Sequence, residues 1–251
     1  MSVEKSIREG YRFRLAQYLA EGFELYKKDM GSFVGFGLLV IVIILLSKFM
    51  PVIGYVIGLV VTPLYAGYYV VADKIRRQNP HVFNDYFGGF ERAFDLILAS
   101  VAKMFLWILL MSPFVAFVGY NAYQEISTKY TTSTINATQF FEIVKILIPT
   151  LTVAGVLTVL FIPFILWIDP IIVFNKTTRP LDAIKQSFQL TKRNYFPILS
   201  LTLAIGFINF LGAFFFGVFL LLTIPLTYCI VYAAYNDIAG MFENENESEL
   251  L

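Results

Sequence analysis

The sequence predicts an all-α integral membrane protein with six transmembrane helices. Hydrophobic residues make up 58% of the 251 residues and charged residues only 15%, whereas a soluble domain carries about 25% charged residues. Several uncharged runs reach the roughly 20 residues that an α-helix needs to cross the hydrocarbon core. The runs are continuous rather than alternating, which favours helices over the strands of a barrel.

The six spans are predicted near residues 32–50, 52–72, 96–119, 146–168, 196–215 and 217–234. Together with the polar segments between them they form one membrane domain, residues 1–240, followed by an acidic tail, 241–251, that is expected to be disordered. Small-residue spacings at Gly31 and Gly35, and at Gly54 and Gly58, would allow close helix approach.

The N-terminal segment, residues 1–30, predicts an amphipathic helix. Apolar residues recur at three- and four-residue steps from Val3 to Leu25, and most of the basic residues lie off that stripe. Such a helix suits the membrane interface and equally suits packing on the protein's own spans, so both alternatives stay open. Two further cytoplasmic amphipathic segments are expected at 73–95 and 180–195.

Three segments of the chain can be superposed as copies of one unit, an amphipathic helix followed by a helical hairpin. Each copy has a phenylalanine with a basic residue five positions later, and each ends near an aspartate. Two of these aspartates, Asp169 and Asp237, are expected to cap a helix or form an ion pair. The residues are Phe23 and Lys28, Phe87 and Arg92, Phe188 and Arg193, with Asp73, Asp169 and Asp237. The three copies would be parallel; convergent composition at an interface is the alternative.

The placement of lysine and arginine predicts the orientation. With six spans, 16 of the 19 basic residues share one side with both termini, and Lys48, Lys129 and Lys145 lie on the other. Cytoplasmic loops carry the excess of basic residues. The sequence therefore predicts a multi-pass protein of the bacterial inner membrane with cytoplasmic N- and C-termini. Eight aromatic residues are interpreted mostly as interfacial belt residues: Tyr65, Tyr68, Tyr69, Trp107, Trp167, Tyr228, Tyr232 and Tyr235.

Several short motifs resemble those of a broad, poorly characterised bacterial family of six-span membrane proteins. They lie at 182–188, 191–194, 224–226, 67–69 and 83–90. Relatives of this family include the membrane domain fused to some glycerophosphodiester phosphodiesterases. The resemblance covers about residues 20–240 and implies a membrane module; the motifs carry no catalytic residue that could be transferred to this chain.

The reactive side chains do not form a recognisable catalytic or metal-binding motif. His81 is the only histidine and stands four positions before Asp85, one position closer than in the lipid acyltransferase motif that this pair resembles. One histidine and one cysteine, Cys229, cannot supply a zinc-type ligand set. No catalytic residue, metal or cofactor is therefore expected. The net charge of +1 does not point to nucleic acid.

The remaining candidate sites are basic residues at the predicted cytoplasmic surface and polar residues inside the spans. The first set, candidates for contact with lipid or a partner, is Lys27, Lys28, Arg76, Arg77, Arg92, Lys192 and Arg193; the second is Lys103 and Asn209. We expect an accessory or scaffold module without enzymatic activity that binds membrane lipids and other membrane proteins. The alternative is a transporter or lipid-moving protein that uses a cleft between hairpins, and it predicts a polar cavity reaching Asn209.

Overall fold

The computed structural model describes residues 3–48, 51–129, 137–214 and 217–241. Within these ranges the chain is helical and contains no strand. The α-helices are α1 Val3–Glu9, α2 Leu15–Lys28, α3 Met30–Lys48, α4 Pro51–Arg76, α5 Ala93–Lys129, α6 Ala137–Ile165, α7 Ile168–Phe174, α8 Pro180–Arg193, α9 Tyr195–Phe214 and α10 Leu220–Ala239; a 3₁₀ helix spans Phe83–Arg92. The predicted tail lies outside the described residues apart from Met241.

Three segments of the described chain are long and apolar enough to cross a membrane: Phe83–Ala116, Leu151–Phe174 and Tyr195–Phe214. The pair formed by α2 and α3, bent by 87°, makes a fourth if it is counted as one broken span. The chain is thus an all-α protein with the helices of a membrane protein. Six helices overlap the six predicted spans, but the crossing of the membrane by all six stays a prediction.

The chain divides into two compact units. The larger unit contains Met1–Ser100 and Pro163–Leu251, and the smaller unit contains Val101–Ile162. In the smaller unit, large apolar side chains such as Phe105 and Leu151 are exposed, as expected of helices that face lipid. Trp107 donates a hydrogen bond to the Thr158 hydroxyl across 3.3 Å and links the two helical segments of that unit.

The N-terminal segment is two helices rather than the single amphipathic helix expected from its periodicity. The break follows α1 at Gly10, whose φ of +85° lies in the left-handed region that favours glycine. The apolar stripe continues across this break, so the spacing alone does not reveal it. The Ser6 hydroxyl donates to the Ile238 carbonyl and holds α1 against the end of α10.

Helix α10 lies at the centre of the larger unit, and α2 packs directly on it. Residues Cys229–Asn236 are all buried. Gly22 of α2 makes the close approach possible, because a Cβ atom at this position would lie 2.5 Å from the Ile230 Cα. Close packing of α4 on the 3₁₀ helix likewise requires Gly67 and Gly89, whose added Cβ atoms would lie 1.7 Å from the Tyr86 carbonyl oxygen and 2.1 Å from the Pro63 carbonyl oxygen.

Three of the four glycines expected to mediate helix contacts do not approach another part of the described chain, and the surroundings of Gly54 lie outside the described part. An added Cβ atom would meet nothing within 4 Å at Gly31, Gly35 or Gly58. Likewise, most of the aromatic residues assigned to an interfacial belt lie in the core: Tyr68, Tyr69, Trp167, Tyr232 and Tyr235 are at most 4% exposed. Tyr65, Tyr68 and Tyr228 stack on one another between α4 and α10. This packing of α4 on α10 buries Tyr68 and Tyr69. Trp167 instead packs on Tyr235, which also stacks on Phe174 of α7.

Candidate functional site

A network of ion pairs and hydrogen bonds joins the polar ends of the helices of the larger unit. We call it the polar rim and define it by Glu21, Asp73, Lys74, Arg76, Arg92 and Asp237. Arg76 of α4 contacts Glu21 of α2 at 2.7 Å. Asp73 accepts a hydrogen bond from Tyr232 of α10, and Asp237 accepts one from Tyr18 of α2. The rim therefore ties α2, α4 and α10 together.

Arg92, at the end of the 3₁₀ helix, fixes the loop between α7 and α8. Its guanidinium contacts the Asp95 carboxylate at 2.6 Å. The same group donates to the carbonyl oxygens of Ile172, Asn175 and Thr178 at 3.3, 3.2 and 2.9 Å. A guanidinium has five donors in a rigid fork, so a single side chain satisfies several loop carbonyls. Arg92 is therefore a positioning residue, and its charge is already neutralised.

A cavity of about 320 Å³ lies between the end of α4, the 3₁₀ helix and this loop. We call it the loop cavity. It is lined by Val70, Asp73, Lys74, Gly88, Gly89, Glu91, Arg92, Val173, Phe174 and Lys176. The lining brings together three basic and two acidic side chains with an apolar wall. This volume lies within the range of small-molecule sites in proteins.

A second, wider groove of about 650 Å³ lies between α1 and α8 on the other side of the same loop. Its lining is polar and includes Glu4, Arg8, Asp182, Lys185, Gln186 and Gln189. At its edge the Arg193 guanidinium donates to the Arg8 carbonyl oxygen at 2.6 Å, and the Asn194 amide donates to the Tyr11 carbonyl oxygen at 3.0 Å. Burial raises the pKa of the Tyr11 hydroxyl above its ordinary value.

The seven basic candidates from the sequence fall into two groups. Five are engaged within the protein: Lys27 with Glu24, Arg76 with Glu21, Arg77 with Asp73, Arg92 with Asp95 and the loop, and Arg193 with the Arg8 carbonyl. Lys28 and Lys192 are exposed, and neither is bonded to another residue of the described chain. Of the seven candidates, only these two present a charge without a bonded partner in the described chain.

Two cations of the loop cavity, Lys74 and Lys176, were not among the sequence candidates. Lys74 contacts the Asp85 carboxylate at 2.8 Å. Lys176 is exposed and, within the described chain, has no bonded partner. The only sequence signal for Lys176 is its place in a short polar linker before a proline-initiated helix. Nothing in that linker predicts that it meets the 3₁₀ helix more than 80 residues earlier.

The two polar candidates inside the spans differ in their surroundings. Asn209 of α9 donates to the Thr227 hydroxyl of α10 at 2.8 Å and to the Ile205 carbonyl at 3.0 Å. This is an interhelical hydrogen bond, and Asn209 lines neither the loop cavity nor the α1–α8 groove. Lys103 is half-buried in the smaller unit.

His81 contacts Asp29 rather than Asp85. The His81 Nε2 atom lies 2.8 Å from an Asp29 carboxylate oxygen, and Asp85 instead accepts from Lys74 and from the Val82 amide. In the part of the chain that the structure describes, no three histidine, cysteine or acidic side chains are placed to hold a metal ion. Cys229 is a buried free thiol.

Comparison of the chain with protein-family models, curated proteins and solved structures finds no match.

Proposed function

We propose that the protein is a non-enzymatic module of a bacterial inner membrane that binds anionic lipids and partner membrane proteins at the surface formed by the polar rim together with Lys28 and Lys192. The observation that carries the proposal is the pair of exposed, unbonded lysines, Lys28 and Lys192, at the ends of α2 and α8. Several helices already hold the chain in the membrane, so these charges are not needed for anchoring. Each basic residue near an anionic leaflet contributes about 1 kcal/mol of attraction.

In this proposal the chain has six spans, and the polar rim with both termini faces the cytoplasm. The excess of lysine and arginine in the segments that form the rim supports this orientation. The number of spans also agrees with what the resemblance to the six-span bacterial family implies. The rim would then lie at the headgroup level of the cytoplasmic leaflet, and Lys28 and Lys192 would contact anionic lipid there.

The threefold repeat belongs to the same proposal, and the structural match between α2 and α8 supports it. Each helix has 14 residues and ends in two basic residues. Each is followed by a single break residue, Asp29 with φ −146° and ψ 49°, or Asn194 with φ −133° and ψ 47°. The middle copy departs from this pattern, because its 3₁₀ helix continues into α5 at Ala93 without a break.

The alternative proposal, a transporter or lipid-moving protein, requires a polar route through the spans. The Asn209 amide is engaged with Thr227, and the loop cavity and the α1–α8 groove are lined by the polar ends of helices instead. These observations favour binding at the rim over passage through the bundle.

The test is native mass spectrometry of the purified full-length protein with its co-purified lipids and proteins. Lys28→Gln and Lys192→Gln together remove two free charges. We expect the bound phosphatidylglycerol to fall about tenfold or more, because the two charges contribute roughly 2 kcal/mol together. Lys27→Gln is the matched control, since Lys27 is already paired with Glu24 at 3.1 Å. Unchanged bound species at equal expression would leave membrane topology as the only role of these charges.

A further inference from the structure

The charges that line the loop cavity are mostly compensated by the protein itself. Asp73 accepts from Arg77 and Tyr232, and Lys74 contacts Asp85. Arg92 is held by Asp95 and the loop carbonyls. These groups line the cavity, but their charges are already balanced within the protein. They therefore contribute little electrostatic attraction to a ligand.

Two charges of the cavity are not compensated. Lys176 lies on the α7–α8 loop and Glu91 on the 3₁₀ helix, and both line the cavity. Both side chains are exposed. Neither is bonded to another residue within the described chain, and they form no ion pair with each other. The cavity thus presents one free cation and one free anion on different elements.

We infer that the loop cavity binds the headgroup of a zwitterionic glycerophospholipid with a primary amine, as in phosphatidylethanolamine. The Lys176 ammonium would donate to the phosphate, and the Glu91 carboxylate would accept from the ligand's ammonium. Both contacts are charge-assisted hydrogen bonds, which are stronger than neutral ones. The inference rests on the proposed function of lipid binding at this surface, and it adds a site for a zwitterionic lipid beside the lysines proposed to bind anionic lipid.

The charge pattern discriminates between headgroups. An anionic headgroup without an amine would satisfy Lys176 but would leave Glu91 facing a negative charge. A quaternary ammonium cannot donate to Glu91 and is usually held by several aromatic faces. Phe174 is the one aromatic side chain among the described residues that line the cavity. A primary amine is the cation that Glu91 recognises best.

The shape of the cavity agrees with a lipid rather than a free headgroup. Val70, Val173 and Phe174 form an apolar wall beside the charged residues. The 3₁₀ helix and the start of α5 also carry exposed aromatic side chains, Phe90 at 39% and Phe94 at 77% exposure. Apolar side chains that follow directly on a polar site suit the boundary between headgroups and acyl chains. The cavity volume of about 320 Å³ accommodates a headgroup.

The experiment titrates the delipidated full-length protein in detergent with three lipids of identical acyl chains and measures binding by native mass spectrometry. The lipids are phosphatidylethanolamine, phosphatidylcholine and phosphatidylglycerol. We expect phosphatidylethanolamine to bind at least about fivefold more tightly than the other two at the loop cavity. Lys176→Gln should weaken both phosphatidylethanolamine and phosphatidylglycerol, whereas Glu91→Gln should weaken only phosphatidylethanolamine. The matched controls, Lys185→Gln and Glu9→Gln, remove exposed charges that lie outside the cavity and should change neither.

Several outcomes would overturn the inference. Equal affinities for the three lipids, or unchanged phosphatidylethanolamine binding in both cavity variants, would show that the cavity does not discriminate between headgroups. Soluble phosphoethanolamine that binds as tightly as the lipid would assign the site to a soluble phosphoamine instead. If Lys28→Gln and Lys192→Gln reduce phosphatidylglycerol while the cavity variants change nothing, the rim proposal stands and the cavity assignment falls. If no variant affects any lipid, both fall.

Discussion

Replacement of Gly67 by alanine tests the packing of α4 on the 3₁₀ helix. An added Cβ atom would lie 1.7 Å from the Tyr86 carbonyl oxygen, 2.6 Å from its carbonyl carbon and 3.1 Å from its Cα. Ordinary van der Waals contact begins at 3.4 Å, so the closest approach falls short by 1.7 Å. All three obstructing atoms belong to the backbone, which cannot rotate away as the end of a side chain can. The 3₁₀ helix must therefore move away from α4.

The cost of that movement is expected at the upper end of the range for overpacking. Inserting a methyl group into a packed core typically costs about 1–3 kcal/mol. Here the obstructing atoms belong to the backbone, so the structure cannot relax by turning a side chain and the cost stays high. We expect a loss of about 3 kcal/mol. Since 1 kcal/mol shifts the Tm of a chain of this size by about 2–4 °C, the Tm should fall by roughly 6–12 °C.

Gly58→Ala is the matched control, because it lies in the same helix and an added Cβ atom there meets nothing within 4 Å. This substitution should leave the Tm unchanged or raise it slightly, since alanine favours helix by up to about 1 kcal/mol relative to glycine. The assay follows the size-exclusion peak of the detergent-solubilised protein after heating. If the Gly67→Ala and Gly58→Ala variants had the same Tm, the described contact between α4 and the 3₁₀ helix would be refuted.

Two further predictions concern the larger unit. Gly22→Ala should lower the Tm by roughly 4–8 °C, because its Cβ atom would press on the Ile230 backbone and overpacking of this kind costs about 2 kcal/mol; a Tm equal to that of Gly31→Ala would contradict the contact. Arg92→Gln should raise the amide hydrogen exchange of residues 172–178 by about tenfold or more, since charged hydrogen bonds contribute about 1.5–3 kcal/mol. Arg92→Lys keeps the positive charge but loses the forked donors of the guanidinium, so it should recover only part of the protection from exchange. Full protection of residues 172–178 in Arg92→Gln would show that the loop is held by other contacts.

The helical class and the amphipathic segments could be predicted from the sequence because both depend on local composition and periodicity. The positions of the tyrosines could not. The sequence places Tyr232 in an interfacial belt and Tyr18 on the apolar stripe of the N-terminal segment. In the structure their hydroxyl groups donate to Asp73 and Asp237, each more than 150 residues away in the chain. Only the packing of α10 against α2 and α4 brings these partners together and allows the rings to be buried.

The contact glycines and the loop cavity were missed for a related reason. A four-residue spacing between glycines indicates that a second helix could approach closely, but it does not identify that helix. Gly22, Gly67 and Gly89 lie in no such pair, and each is required by a particular neighbouring backbone. In the same way, Lys176 differs from the other two cations of the loop cavity, Lys74 and Arg92, in lacking a bonded partner within the described chain. Whether Lys176 has a partner depends on which acidic side chains are already paired with other basic residues, and the sequence does not show those pairings.

The central claim, that the polar rim lies at the cytoplasmic surface of the membrane, is tested most directly by thiol labelling. The chain has one native cysteine, Cys229, which is buried. Single substitutions Lys28→Cys and Lys192→Cys, in the last turns of α2 and α8, report on the side of the rim, and Lys129→Cys reports on the opposite side. An impermeant maleimide added to intact spheroplasts should label Lys129→Cys but should label the two rim variants only after lysis. Labelling of the rim variants in intact spheroplasts, with Lys129→Cys protected until lysis, would contradict the account.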